Sequence, residues 1–226
     1  MRTKLLLFDI DGTLLRVYGA GGRAMIRAGV EVLGERCVGA RVDVGGALDP
    51  WIFGELARHG GYETDAERHR GFRAAYARAL DQELTTADTP ARAMPGVLDL
   101  LARLREESAA IVGMLTGNYP ETGMRKLRQV GIDPGWFAPT AWGDQAPDRP
   151  ALVRVALAET PHLEARDVIV IGDTPRDIHC AHANGARCLA VATGFHGVEE
   201  LRAAGADRVL PDLGDPTALH EMIAGE

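Results

Sequence analysis

The chain has 226 residues, 46% hydrophobic and 25% charged, with 25 basic against 32 acidic side chains for a formal charge of −7. That length can bury a substantial core, as one large domain or two small ones, and the acidic balance without basic clusters argues against nucleic acid as a partner. Three cysteines, Cys37, Cys180 and Cys188, lack C-x-x-C spacing and suit free thiols in a reducing compartment. No stretch approaches the roughly 18 apolar residues of a membrane span. The apolar run 5–8 is too short for a signal peptide and acid follows it at once, so a cytoplasmic protein with no membrane partner is expected.

Taken in order, the chain opens on a strand, Leu5-Leu6-Leu7-Phe8, that ends in Asp9-Ile10-Asp11-Gly12-Thr13-Leu14. Residues i and i+2 of an extended chain project to one side, so Asp9 and Asp11 can face one site. Gly12 then permits a sharp turn. Two adjacent carboxylates repel unless a cation or a shared proton holds them, and a hard cation with oxygen ligands, most simply Mg²⁺, answers that need. The alternative is an acidic cap of a turn or helix. A Ca²⁺ loop is excluded, because Leu-Leu-Arg follows where further oxygen ligands are required.

Gly19-Ala20-Gly21-Gly22-Arg23-Ala24 matches the dinucleotide pattern G-x-G-x-x-A, but it lies ten residues beyond the acidic strand end instead of directly after a strand. It reads as a hinge and the start of a helix reaching about residue 33. A second helix is expected over 49–59, with Asp49 as cap and Pro50 at the first helical position. A third begins at Thr64 or Asp65 and continues to about Ala87, and a short strand over 41–44 is the one extended candidate between them. Trp51 and Phe53 are expected in the core of this helical region.

From residue 94 the pattern alternates between helix and strand, the mark of a doubly wound parallel sheet. Helices are expected at 95–107, 121–130, 148–159, 176–184, 198–204 and from 216, and strands at 110–115, 140–142, 168–171, 187–192 and 207–210. Two of these strand ends carry chemistry. The first runs into Thr116-Gly117-Asn118, a hydroxyl and a glycine whose N–H can approach an anion, although an ordinary turn has the same composition. The second runs into Gly172-Asp173-Thr174-Pro175-Arg176-Asp177, two acids four apart at a helix start, which also suits a helix cap. His179 and His182 share a helix face without a third ligand in register. The segment 193–197 follows another strand and reads as a turn, with the mouth of the site as the alternative.

In that order and spacing, Asp9-Ile10-Asp11-Gly12-Thr13-Leu14, Thr116-Gly117 and Gly172-Asp173 through Asp177 resemble the first, second and fourth motifs of the haloacid dehalogenase (HAD) superfamily, specifically its phosphatases. The resemblance spans essentially the whole chain. It implies a Rossmann-like α/β core of residues 1–15 and 91–226, with an all-helical cap domain over 16–90, as in phosphoglycolate phosphatases and β-phosphoglucomutases. It implies an enzyme that hydrolyses the phosphomonoester of a small metabolite, phosphoglycolate-like, through an aspartyl-phosphate with Mg²⁺. Asp9 would be the nucleophile and Asp11 the acid–base, with Asp9, Asp11, Asp173 and Asp177 around the metal. Thr116 would bind phosphoryl oxygens, and Gly12, Gly117, Asn118 and Arg23 the substrate. The family's third motif is a lysine, often before proline. No lysine follows Lys126, which falls in mid-helix, so Arg149-Pro150 is the counterpart and Arg149 the expected phosphate-site cation. A mutase on the same fold, or a phosphate-sensing protein with a weakened site, is the alternative.

Overall fold

The structure is a computed structural model and describes residues 3–39, 42–86, 90–106 and 110–225. Eight strands are described in it: β1 Lys4–Phe8, β2 Leu15–Arg16, β3 Arg92–Ala93, β4 Ala110–Leu115, β5 Thr140–Ala141, β6 Val168–Gly172, β7 Arg187–Val191 and β8 Arg208–Leu210. The α-helices are α1 Ala20–Leu33, α2 Asp49–Gly60, α3 Ala66–Thr86, α4 Val97–Leu104, α5 Pro120–Gln129, α6 Arg149–Ala158, α7 Pro175–His182, α8 Val198–Ala203 and α9 Thr217–Ala224.

Six strands form one parallel sheet in the order β5-β4-β1-β6-β7-β8. The chain winds outward from β1 to one edge, then returns to the other side of β1. This reversal is the doubly wound arrangement, and it opens a crevice beyond the carboxyl ends of the central strands. The expected α/β class, a Rossmann-like parallel sheet with an all-helical insertion, is therefore the observed one.

β1 sits at the centre because it is apolar on both faces. Leu6 and Phe8 join Ile169 and Ile171 in one core, while Leu5 and Leu7 join Val168 and Val170 in the other. All eight are fully buried. Continuous apolar runs of this kind are what a strand covered by helices on both sides requires. The first of these cores continues without a break into the helical insertion, where it takes in Ala24, Leu33, Phe53, Phe72, Tyr76 and Leu80. A short antiparallel pair, Leu15 with Ala93 and Arg16 with Arg92, ties together the two chain crossings into that insertion.

Several details differ from the sequence expectations. Asp49 is not the cap of α2. Leu48 holds that position and Asp49 is the first helical residue, its carboxylate turned to the start of α5 instead. Phe53 is buried as expected, with its ring centroid 4.7 Å from that of Phe72. Trp51 is 47% exposed and fills no core, because its side of α2 faces outward. Residues 42–44 are not a strand, and Arg41, Ala87 and Glu107, at the expected ends of elements, lie outside the described residues.

Because β1 sits in the sheet between β4 and β6, shortening one of its leucines should be costly. Leu7→Ala is expected to lower unfolding stability by about 2–5 kcal/mol, read from the urea midpoint with the slope unchanged. A loss below about 1 kcal/mol would show that the site collapses around the gap instead of leaving a cavity.

Candidate active site

The crevice beyond β1 and β6 holds a cavity of about 530 Å³. Asp9 lies there because it directly follows β1, its N–H still donating to Ile171 O at 2.9 Å. Asp173 directly follows β6, and Asp177 lies in the first turn of α7. One carboxylate oxygen from each of Asp9, Asp173 and Asp177 lies within 4.8 Å of the others, and all three residues are buried.

Arg149 is the cation among them. It opens α6, whose cap is the Asp148 carboxylate accepting from Ala151 N–H at 2.8 Å. Its guanidinium donates to Asp177 Oδ1 from Nη2 at 2.6 Å and Nε at 3.1 Å, stands 3.2 Å from Asp9 Oδ1, and donates from Nη1 to Gly46 O at 3.0 Å. The other oxygen of Asp177 accepts from Thr174 N–H at 3.1 Å and Thr174 Oγ1 at 2.7 Å. Both Asp177 oxygens are thus committed to protein donors.

Asp173 is less constrained. Its Oδ1 accepts from Thr13 Oγ1 at 3.2 Å, and its carboxylate is packed against Gly12. Gly12 has φ +82° and no room for a side chain, since a Cβ there would lie 2.3 Å from Asp173 Oδ2. That glycine is required twice, for its turn and for its neighbour.

Burial is the main electrostatic influence. It pushes the Asp9 carboxyl up to about 6, with Arg149 opposing and the charges of Asp177 and Asp11 adding to the rise. Burial, then the charges of Asp177 and Asp9, push Asp173 up to about 8 against the pull of Arg149. Three buried acids share one guanidinium, so the cluster lacks positive charge. Its donors are hard oxygens, and those of Asp9 and Asp173 are the less committed ones. That donor set fits a hard divalent cation such as Mg²⁺.

The four expected metal acids do not form a single cluster. Asp11 follows Asp9 by two residues, but its carboxylate lies outside the buried group, 41% exposed. Its Oδ2 accepts from Lys126 Nζ at 2.6 Å and from Asn118 Nδ2 at 2.9 Å. Asn118 also donates to Thr116 Oγ1 at 2.8 Å and accepts from Lys126 Nζ at 2.6 Å. Gly12, Thr116, Gly117 and Asn118 all line the cavity. Asp177 and Arg23 are the expected site residues that do not: Asp177 is held by Arg149 and Thr174, and Arg23 pairs with Glu83 at 2.7 Å and donates to Tyr18 O on the outer side of α1.

Two residues at the site were not anticipated from the sequence. Lys126 is buried on the inner face of α5, with Thr122, Gly123 and Leu127. The available signal was its spacing, four residues beyond Thr122, and its rarity, since Lys4 and Lys126 are the chain's two lysines. Asp49 is buried at the joint between insertion and core, accepting from Tyr119 N–H at 2.8 Å. Burial pushes its carboxyl up to about 7 despite the nearby ammonium of Lys126. Gly194 and Phe195, in the segment read as a turn with the mouth of the site as the alternative, line the cavity, and Phe195 is 93% exposed at its mouth. His179 is exposed and His182 pairs with Asp207, so they form no metal site.

The six-stranded doubly wound sheet thus carries an acidic centre at the end of its first strand and a helical insertion directly after it. Known proteins share sequence and fold with this chain. A family model described as HAD-hydrolase-like matches residues 147–216. A phosphoglycolate phosphatase of Photorhabdus laumondii is 26% identical over 223 residues, covering 94% of this chain and 90% of the relative. A phosphoglycolate phosphatase of Rhodospirillum rubrum is 29% identical over 224 residues, with the same coverage. The crystal structure of a hydrolase from Pseudomonas syringae superposes with a TM-score of 0.73 at 22% identity, covering 98% of this chain and 99% of the other. The chain is thus similar in sequence and fold to HAD-like hydrolases.

The raised carboxyls make a pH prediction. Both lie above their ordinary value, so the stability they contribute is complete below about pH 4 and is lost as pH rises through about 6 for Asp9 and about 8 for Asp173. Without metal, the melting temperature should fall from pH 5 to pH 8, and Asp173→Asn should flatten that fall. Added Mg²⁺ should raise the melting temperature more at pH 8 than at pH 5, because it binds the ionised cluster of the folded state. A slope unaffected by Asp173→Asn, with no response to Mg²⁺, would remove the electrostatic account of the cluster.

Proposed function

We propose that the chain is a Mg²⁺-dependent phosphatase that hydrolyses the phosphomonoester of a small metabolite through an aspartyl-phosphate on Asp9. One observation carries this reading. The Asp9 carboxylate is buried at the end of the central strand, between Arg149 and Asp173, at a cavity that Asp11 also lines. The names of the two curated relatives make phosphoglycolate the first substrate to try.

Asp9 attacks phosphorus, dividing the hydrolysis into two easier displacements. Asp11 gives a proton to the departing ester oxygen and then takes one from the water that attacks the aspartyl-phosphate. Asp9, Asp173 and the backbone carbonyl of Asp11 would hold Mg²⁺, which supplies positive charge against the transferring phosphoryl group. Asp177 holds Arg149 in place, and Arg149 and Thr116 bind the phosphoryl oxygens, where most of the catalysis of this reaction lies. Arginine serves because the task needs fixed charge and no proton transfer.

Asp9→Asn should abolish phosphate release while leaving the melting temperature within a few degrees, since the amide fills the same space without the nucleophilic charge. Robust turnover by that folded variant would remove Asp9 from its role. Arg149→Ala leaves Asp177 buried and unpaired, a loss of about 3–5 kcal/mol in stability, so Arg149→Lys is the cleaner variant. It should fold and lose on the order of 10²-fold in kcat, comparable to removing one preorganised donor. Wild-type kcat in Arg149→Lys would show that the two-pronged geometry is dispensable.

A further inference from the structure

One polar group in the cavity has no place in that chemistry. Tyr76, on α3, is fully buried and lines the cavity, and its Oη has no hydrogen-bond partner; it is the one such buried side-chain N or O among the described residues. Thr122 shares this corner; its hydroxyl donates to Tyr119 O at 3.1 Å, and its oxygen stands near the phenol without a hydrogen bond of ordinary geometry. Leaving a buried hydroxyl unpaired is costly, because water is lost and nothing replaces it. Burial, together with the charges of Asp49 and Asp11, holds the phenol well above its ordinary range, so it is a neutral O–H donor.

A second donor points to the same place. An ammonium has three N–H groups; Lys126 gives one to Asp11 Oδ2 and one to Asn118 Oδ1, which leaves a third. Gly21 of α1 faces both groups. A methyl at Gly21 would lie 3.4 Å from Lys126 Nζ and 3.5 Å from Tyr76 Oη. Bare of a side chain, Gly21 thus leaves a notch that both donors face. Lys126 touches Asp11, the residue assigned to the departing ester oxygen, so the notch lies on the leaving-group side of the phosphate.

We propose that Tyr76 is a specificity-determining residue, its hydroxyl and the third N–H of Lys126 together binding a carboxylate oxygen that the leaving group carries next to its ester carbon. This rests on the phosphatase reading above and deepens it. A phosphomonoester with that oxygen satisfies both donors; an analogue without it leaves them buried and unpaired.

The test compares phosphoglycolate with ethyl phosphate, which has the same two carbons and no carboxylate, in the whole protein with Mg²⁺. Wild type should favour phosphoglycolate in kcat/KM by on the order of 10²-fold or more, the scale at which unpaired site donors reject an analogue. Tyr76→Phe should cut that ratio by about tenfold or more, chiefly through the KM for phosphoglycolate. Gly21→Ala is the second variant. Its methyl makes contacts of ordinary length and alanine suits a helix, so it should fold, fill the notch and move the ratio the same way. A wild type without preference overturns the inference and leaves the phosphatase reading standing. So do variants with an unmoved ratio, or equal losses on both compounds, which mark a purely structural Tyr76. Absence of phosphate release from every phosphomonoester tried, p-nitrophenyl phosphate included, overturns both.

Discussion

The contact on which the rest of the site depends is that of Arg149 with Asp177 and Asp9. The parallel sheet places the ends of β1 and β6 side by side, which forces their terminal acids together out of water. Carboxylates brought so close resist ionisation, and the raised Asp9 and Asp173 express that resistance. Two donors of Arg149 on Asp177 Oδ1, with Asp9 on the same guanidinium, hold the cluster at fixed geometry. A third donor reaches Gly46 O in the helical insertion, so the same side chain also fixes where the insertion meets the core.

Of the three cations that line the cavity, Arg16 is given to the carbonyls of Thr193 and Gly194, and the other two, Arg149 and Lys126, differ chemically. Arg149 keeps its charge in a buried setting and spreads it over several fixed donors, which suits a cluster that must not move. Lys126 is a compact charge on a flexible stem, and it stands with Asp11 and Asn118 instead of with the buried acids. In a chain that otherwise carries its positive charge on arginine, with Lys4 as the other lysine, that placement sets a second polar region of the cavity, Asp11 with Asn118, apart from the buried acids.

Most of the architecture was legible in the sequence, because it follows from short-range rules. Apolar runs ending in acid gave β1 and β6, and the alternation after residue 94 gave the doubly wound sheet. Asp148 and Pro150 marked the start of α6, whereas the place of Arg149 at the site came from the family resemblance. What escaped was set by tertiary contact. Asp49 has the composition of a helix cap, yet its carboxylate accepts from Tyr119, 70 residues away in the chain. Lys126 reads as a solvated residue on an amphipathic helix until its inner face is known. Arg23 stands at the start of α1 as expected, but it points outward to Glu83 on α3, a pairing that local pattern cannot disclose.

The part of the insertion that comes nearest the catalytic centre is almost without side chains. Gly45, Gly46 and Ala47 line the cavity, and their carbonyls are turned toward the core. Gly45 O accepts from Arg176, Gly46 O from Arg149, and Ala47 O lies over Gly117, where a Cβ would clash with it. Asp49 N–H continues the contact by donating to Gly117 O at 2.8 Å. A roof made of backbone already bonded to the core can exclude water from the phosphoryl group, but it offers no side-chain chemistry for telling one alcohol from another. In the phosphatase reading proposed above, discrimination falls to the walls that the helices supply, with Gly21, Gly22 and Met25 on α1, Asp49 and Ile52 on α2 and Tyr76 on α3. Of these, Asp49 and Tyr76 bring polar groups; the Asp49 carboxylate is given to Tyr119 N–H, whereas the Tyr76 hydroxyl has no partner and faces Gly21 as Lys126 does.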